Sequence, residues 1–175
     1  SVRAYSTCLR GQLSSNVRPR VIHPLTSVRI RDFDPSVTDE LVPMWCASFE
    51  FGVGIVDTNP IEGQEEYFRT KVVPENRVRL AWSGNELVAF IASTPESITL
   101  LHVKVAHEGH GIGTCLLRLA QEESSGSLWL YTFARNERAC RFYEGHGFTV
   151  AERGIEPFWQ LESLKYVWAR QQGAA

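Results

Sequence analysis

The stretch HEGHGIGTCLL, residues 107–117, most restricts what this chain can fold into. A strand-like apolar run, ITLLHVKV, precedes it, and a helix-like amphipathic run follows it. Glycines occupy positions 109, 111 and 113, whereas a tight turn from strand to helix needs one glycine or two. Three alternating glycines remove side chains where backbone amides point outward at a helix N-terminus, a place that favours an anion. The stretch therefore predicts a phosphate-binding turn.

The spacing of these glycines differs from the two common nucleotide-binding loops. A nucleoside triphosphate loop has the pattern GxxxxGK[ST], and no lysine follows the glycines here. A dinucleotide fingerprint has GxGxxG in the first strand-helix unit, whereas here GxGxG is followed by Thr114 and at least three predicted strands precede it. The phosphate ligand is therefore of another kind.

Hydropathy periods predict an α/β fold, an α+β mixed sheet with helices on both faces. The predicted strands are SVRIRDF, RVRLAWS, ELVAFIAS, SITLLHVKV, LWLYTFA, FTVAER and LKYVWAR. The predicted helices run from Ser36 or Thr38 to about Phe49, through IEGQEEYFRTKV to a stop before Pro74, from the glycine turn to about Glu123, and through NERACRFYEGHG. The first strands are expected to be antiparallel, and the glycine turn belongs to one right-handed strand-helix-strand unit.

Charge divides the chain into a basic N-terminal part and an acidic body. Residues 1–31 carry six arginines and no acidic residue, and the rest carries 12 basic and 20 acidic side chains. We predict a basic N-terminal extension at 1–26 and a single domain at 27–175. An Arg-rich start also suits a transit peptide or a nucleic-acid arm. The acidic body disfavours nucleic acid as the main ligand.

The cysteine and histidine patterns favour reduced thiols and no metal. Four cysteines are widely separated and form no CxxC pair: Cys8, Cys46, Cys115 and Cys140. His107 and His110 lie three residues apart without a second pair of ligands, so we expect no metal site. The chain has no apolar run near 20 residues and no secretory signal, which predicts a cytoplasmic protein without a membrane partner.

A second pattern, NERACRFYEGHGF at residues 136–148, follows the glycine turn. It resembles the N..A..FY...GF pattern of the GNAT superfamily of acyl-CoA-dependent N-acyltransferases, and EGHGIG resembles the cofactor motif [R/Q]xxGx[G/A] of that family. Gly111 and Gly113 match the motif, and Glu108 stands where the family has Arg or Gln. The resemblance covers residues 27–170. It implies a GNAT-like fold, mostly antiparallel with a central parallel strand pair, and acetyl-CoA (coenzyme A) as the co-substrate.

The resemblance also implies which residues bind that co-substrate. The pyrophosphate is expected on the backbone of Gly109, His110, Gly111, Ile112, Gly113 and Thr114. The pantetheine arm is expected on a strand bulge and a later helix start: Val103, Lys104, Val105 and Asn136. Asn136 also suits an ordinary helix N-cap, and Arg138 and Arg141 are candidates for the phosphates. We expect Glu108 to face solvent or a basic residue, because a carboxylate beside a pyrophosphate is unfavourable.

The resemblance implies that an amine attacks the thioester directly. Tyr143 matches the family tyrosine near the cofactor sulfur and is predicted to be the general acid; its alternative role is that of a core aromatic. A phenol of pKa ~10 can protonate a thiolate whose thiol has a pKa of ~8.5. His102 is the candidate general base, with an ordered water as the alternative. Some relatives have a glutamate where this chain has Ser97, next to Glu96.

The acceptor site is expected between the first two helices and the GIEPFWQ loop, which flank the open side of the sheet in the family. Its candidates are aromatic and acidic: Trp45, Phe49, Phe51, Phe158, Trp159, Glu50, Asp57 and Glu156. A small-molecule amine is the expected acceptor, and a protein N-terminus or peptide amine is the alternative. A non-catalytic acyl-CoA-binding module is the alternative of another class. A homodimer is left open as the assembly.

Overall fold

The protein folds as two antiparallel sheets that meet at one edge, and a computed structural model describes residues 28–171. The first sheet has the order β1 (Val28–Asp32), β2 (Arg77–Ser83), β3 (Glu86–Ser93), β4 (Ile98–Val103). The second has the order β5 (Ser127–Phe133), β7 (Leu161–Ala169), β6 (Thr149–Glu156). The helices are α1 (Thr38–Val53), α2 (Ile61–Tyr67), α3 (Val73–Glu75), α4 (Ile112–Glu123) and α5 (Glu137–Gly145). The predicted basic extension at 1–26 lies outside the described residues.

The central parallel pair, β4 and β5, touches at one point and then separates. A single parallel bridge joins Ser97 to Trp129, and the amide of Trp129 donates to the carbonyl oxygen of Glu96 at 3.0 Å. The two sheets therefore diverge from this bridge and leave an opening between β4 and β5. The strand-to-helix connection after β4 passes beside that opening.

The second predicted helix does not stop before Pro74. A π turn over Phe68–Val72 joins α2 to α3, and its last hydrogen bond runs from the amide of Val73 to the carbonyl oxygen of Phe68. A proline ring normally clashes with the carbonyl group four residues earlier, and the wider π turn leaves room for the ring. The helix therefore continues to Glu75.

Two apolar cores lie on either side of the sheets and fix the helices around the opening. One packs α4 and α5 against both sheets, with fully buried Leu116, Leu128 and Tyr166 at its centre. The other packs α1 and the π turn against β2 and β3, around Phe68 and Phe90. Each buried large apolar side chain stabilises the fold by about 1.5–3 kcal/mol. The first turns of α4 and α5 are held firmly beside the opening as a result.

The bulge that was expected at residues 103–105 is wrong in position. The irregular step between β3 and β4 lies at Thr99, four residues earlier. Val103 still pairs with β3, and the amide of Lys104 donates to the carbonyl oxygen of Val88 at 2.8 Å. The ladder continues this far because β3 is buried from Leu87 onward, and unpaired backbone groups there would be costly.

Candidate active site

The glycine turn lies between β4 and α4, and its backbone conformation requires two of its three glycines. Gly109 and Gly111 have φ angles of 77° and 81°, in the left-handed region that side chains disfavour. Gly113 is helical, and a Cβ atom there would lie 3.4 Å from the ring of Phe142 and 3.6 Å from a methyl group of Val103. Two glycines thus shape the turn, and at the third position a methyl group would make ordinary van der Waals contacts with α5 and β4.

The start of α4 presents backbone donors next to the opening. Its first intrahelical hydrogen bond runs from the amide of Cys115 to the carbonyl oxygen of Gly111, at 3.0 Å. The amides of Ile112, Gly113 and Thr114 precede that bond, so the helix itself offers them no acceptor. Three such donors at the positive end of a helix dipole suit a phosphate group.

A cleft of about 990 Å³ runs from this turn along the β4–β5 opening to α1 and β6. Most predicted site residues line it: His102, Val103, Gly109, Gly111, Ile112, Gly113, Thr114, Asn136 and Tyr143. The lining does not include Lys104, Val105 or His110. The Nζ atom of Lys104 lies 2.6 Å from a carboxylate oxygen of Glu86 on β3, so its side chain is turned to that strand. His110 is exposed on the turn.

Tyr143 belongs both to the core and to the cleft wall. Its side chain is buried among the rings of Phe142, Phe148 and Tyr166, with ring centroids 5.2, 5.6 and 6.1 Å away. Burial, together with the nearby thiol of Cys140, raises the pKa of Tyr143 well above its ordinary value. The phenol is therefore protonated throughout the physiological pH range and can act only as a donor of its proton.

Asn136 caps α5 as the sequence suggested. Its Oδ1 atom accepts a hydrogen bond from the amide of Ala139 at 3.1 Å. A Cβ atom on Gly52 of α1 would lie only 2.7 Å from its Nδ2 atom. The N-cap interpretation is confirmed, and the absence of a side chain at Gly52 lets α1 come close to this cap.

His102 lies in the cleft wall between α1 and β3. Its Nδ1 atom is 3.1 Å from the hydroxyl oxygen of Ser48, and its ring lies 5.8 Å from that of Phe90 and 6.3 Å from that of Trp45. Burial lowers the pKa of His102 from 6.5 to about 4. The pKa is lower than the ordinary value of a histidine because the aromatic surroundings disfavour the imidazolium.

Glu108 is turned toward a basic residue, as was expected. Its carboxylate forms an ion pair with the guanidinium of Arg138 on α5, and both side chains line the cleft. Burial raises the pKa of Glu108 above its ordinary range, and Arg138 opposes that rise. Arg141, the other basic candidate, pairs with Glu137 at 3.0 Å on the solvent side of the helix and does not line the cleft.

His146, which the sequence analysis missed, joins the end of α5 to the glycine turn. Its Nδ1 atom lies 2.7 Å from the carbonyl oxygen of Phe142, and its Nε2 atom lies 3.1 Å from the hydroxyl oxygen of Thr114. When the Nδ1 atom donates to the carbonyl group, the Nε2 atom accepts a hydrogen bond from the hydroxyl group of Thr114. The contact spans 32 residues, so nothing local in the sequence indicated it.

The other end of the cleft combines aromatic rings with one acidic candidate. Trp45, Phe49 and Phe133 line it, and the ring of Trp159 lies 5.9 Å from that of Phe49. Glu156 also lines it. Its two carboxylate oxygens accept hydrogen bonds from the amides of Phe158, at 3.1 Å, and Trp159, at 2.6 Å.

The other acceptor candidates have different roles. Asp57 accepts hydrogen bonds from Asn59 and Gln64, and Glu50 accepts one from the amide of Asp57 at 3.0 Å. Phe51 and Phe158 are more than half exposed and do not line the cleft. The predicted GIEPFWQ loop is shorter than expected, because β6 continues to Glu156.

The part of the chain from 28 to 171 holds no group of three or more His, Cys, Asp or Glu side chains arranged for a metal ion. Within the described residues, Cys46, Cys115 and Cys140 form no disulfide bond, and Cys8 lies outside them. No helix in the same range is long and apolar enough to cross a membrane.

Replacing Gly111 with alanine should weaken coenzyme A binding about tenfold. A side chain at a φ of 81° costs about 1–2 kcal/mol, and relief of that strain would turn the amides of the first turn of α4. Isothermal titration calorimetry measures the affinity. Gly63→Ala is the matched control, because Gly63 is helical with nothing within 4 Å of an added Cβ. Equal affinities for the two variants would contradict the prediction.

Comparison with known sequences supports the resemblance. Residues 74–150 match a family model described as an acetyltransferase (GNAT) domain. The mycothiol acetyltransferase of Corynebacterium efficiens is 36% identical over a 90-residue alignment that covers 46% of this chain and 30% of that protein. The match thus spans about a third of the length of that curated relative.

Solved structures share the fold over almost their whole length. YjaB from Escherichia coli has a TM-score of 0.68 at 22% identity and covers 82% of this chain and 99% of its own. The PaiA N-acetyltransferase from Thermoplasma acidophilum, solved with coenzyme A, has a TM-score of 0.61 at 18% identity, covering 79% and 98%. The structure of yncA from Salmonella typhimurium with acetyl-CoA has a TM-score of 0.62 at 15% identity, covering 85% and 96%. The glycine turn and α5 thus lie in a segment that matches a GNAT acetyltransferase domain, and the fold around them is shared with solved N-acetyltransferases.

Proposed function

We propose that this protein is an acetyl-CoA-dependent N-acetyltransferase that acts on a small-molecule amine. The observation that carries the proposal is the single continuous cleft. It connects the amide donors at the start of α4 to an aromatic end with an acidic side chain, and Tyr143 lies in its wall. A phosphate-rich thioester and an amine could thus meet within one cavity.

The residues of the glycine turn fit coenzyme A. Cβ atoms built on Gly109 and Gly111 would meet nothing within 4 Å, so the space in front of the turn is open. The amides of residues 112–114 would hold the pyrophosphate, and the pantetheine arm would extend along β4 toward Tyr143. Acetyl-CoA would supply an activated acyl group as its thioester.

Tyr143 would protonate the leaving sulfur. As the amine nitrogen forms the new C–N bond and the C–S bond breaks, the phenolic proton passes to the thiolate and solvent later reprotonates the phenolate. The buried site raises the pKa of Tyr143, and the same low polarity raises the pKa of a thiol beside it. The proton transfer is therefore less unfavourable than the raised pKa of Tyr143 alone would make it.

His102 would take the proton from the attacking nitrogen, directly or through a water. With a pKa of about 4, its ring is neutral at neutral pH, and in the tautomer whose Nδ1 atom donates to Ser48 the Nε2 atom is an acceptor. The ring is too weak a base for an ordinary ammonium ion. The amine therefore loses its first proton to water and attacks as the neutral form. Its nitrogen becomes far more acidic once the C–N bond is formed, so the transfer to His102 follows the attack.

The acceptor end favours an amine with a flat or apolar body. Trp45, Phe49 and Phe133 supply apolar surface, and Glu156 supplies a carboxylate that two backbone amides hold in place. A fixed carboxylate beside aromatic rings attracts a cationic amine. An extended peptide would need backbone partners along the groove as well as these groups.

Incubation with acetyl-CoA and two sets of acceptors tests the proposal. One set contains small aromatic and aliphatic amines, and the other contains peptides with free N-termini; thiol release and product mass are measured. Acetylation of small amines supports the proposal, and acetylation of peptides alone supports the runner-up acceptor. Glu108, where the family has Arg or Gln, favours one further candidate, a non-catalytic module, which would bind coenzyme A and release no thiol with either set.

A further inference from the structure

Arg138 lies where three elements meet at the mouth of the cleft. Its guanidinium contacts the carboxylate of Glu108 on the glycine turn and lies 5.3 Å from the ring centroid of Phe51 on α1. The arginine itself belongs to the first turn of α5. Its side chain is 52% exposed, so it can move without unpacking the core.

Glu108 is placed awkwardly for a protein that binds a pyrophosphate. Its side chain is only 18% exposed, and it directly precedes the turn whose amides suit an anion. A carboxylate and a phosphate repel each other at such short range, and each of them attracts the same guanidinium. Arg138 therefore has two competing anionic partners once coenzyme A is present.

We propose that Arg138 exchanges partners when coenzyme A binds: it leaves Glu108 for the cofactor's phosphates, and the abandoned carboxylate of Glu108 takes up a proton. The proposal rests on coenzyme A binding as set out under the proposed function. Arginine suits the exchange because its planar guanidinium makes paired hydrogen bonds to phosphate and stays charged. Cofactor binding is thereby linked to proton uptake at one residue.

The surroundings of Glu108 support this linkage. Burial already raises its pKa while Arg138 is present, and the departure of Arg138 removes the charge that opposes the rise. An approaching phosphate adds a second unfavourable charge for the carboxylate form. Both changes shift the equilibrium of Glu108 toward the neutral acid.

Other charged groups near the turn keep partners of their own. His107 and Lys104 both contact Glu86 on β3, at 3.2 and 2.6 Å. His110 is on the exposed side of the same turn. On α5, Glu137 and Arg141 pair with each other and are about 70% exposed or more. A Glu108→Gln variant leaves all of these groups unchanged, so it isolates the contribution of Glu108.

Calorimetric titration with coenzyme A between pH 5.5 and 8, in buffers of different ionisation enthalpy, tests the exchange. The native protein should take up more protons than Glu108→Gln at each pH, by up to about one proton per coenzyme A. As the pH rises, the affinity of the native protein for coenzyme A should fall by up to about tenfold per pH unit relative to that of the variant. At low pH the two affinities should become equal. Identical proton uptake and parallel affinity curves would overturn the proposal.

Two pairs of variants separate the exchange from general charge effects. Glu137→Gln should keep the native pH dependence, because Glu137 pairs on the solvent side of α5. Arg138→Gln should weaken coenzyme A binding about tenfold, whereas Arg141→Gln should leave it within twofold. Equal weakening by both arginine variants would contradict the assignment. If no form binds coenzyme A, the proposed function itself fails; if all forms bind it with the same pH dependence, only the exchange fails.

Discussion

Replacing Tyr143 with phenylalanine should lower kcat for acetyl transfer by about two orders of magnitude. General acids contribute roughly 10²–10⁴-fold, and this change removes the transferred proton while the buried ring remains. The dissociation constant for coenzyme A should stay the same, because the phenyl ring still fills the cleft wall. Steady-state kinetics with a responsive amine, together with calorimetric titration, measures both quantities.

Tyr166→Phe is the matched control for Tyr143→Phe. Tyr166 is fully buried beside Tyr143, and its hydroxyl group donates to a carboxylate oxygen of Glu144 at 2.8 Å, away from the cleft lining. Its loss should lower the free energy of unfolding by about 1 kcal/mol and leave kcat within a few-fold. If Tyr143→Phe also kept its turnover and its affinity, Tyr143 would be only a core aromatic.

The glycine turn and α5 could be predicted from the sequence because their signals are local. Left-handed φ angles at Gly109 and Gly111 favour glycine, and the N-cap at Asn136 favours a short polar side chain. Each structural feature is therefore visible in the sequence as a residue type at its own position. The spacing between these two motifs then indicated the resemblance to the GNAT superfamily. The position of Tyr143 in the helical pattern was enough to predict that it lies on the inner face of α5, beside the cleft.

Contacts between distant parts of the chain could not be predicted in the same way. The pair of Glu108 and Arg138 and the link from His146 to Thr114 each join the glycine turn to α5 across about 30 residues. The fold brings these side chains together through the shared core in which α4 and α5 both pack. The sequence shows which residues are charged, but it does not show which of them form ion pairs with each other.

The misplaced bulge has a similar cause. The family pattern placed it at residues 103–105 by counting back from the glycines, but the register of β4 is set by its pairing with buried β3. That pairing places the extra residue at Thr99. Strand register depends on which face must be buried, so a motif at the strand's end determines it poorly.

His102 should make the protein unusually sensitive to acid. Its pKa is about 4 in the folded state and 6.5 without the fold, so the unfolded chain binds the proton first as the pH falls. The free energy of unfolding should therefore decrease between pH 6.5 and 4, by about 2–3 kcal/mol, and the full contribution is present above pH 6.5. Urea unfolding at several pH values measures this decrease.

His102→Phe should remove most of this decrease, since phenylalanine can occupy the space between Phe90 and Trp45 without binding a proton. His110→Gln on the exposed turn is the control and should keep the native slope of stability against pH. The same low pKa means that turnover of the free enzyme should show no ionisation of His102 near pH 6.5. Parallel stability curves for the native protein and His102→Phe would show that the ring is not held neutral by burial, and its place as an acceptor of the amine proton would then need a different basis.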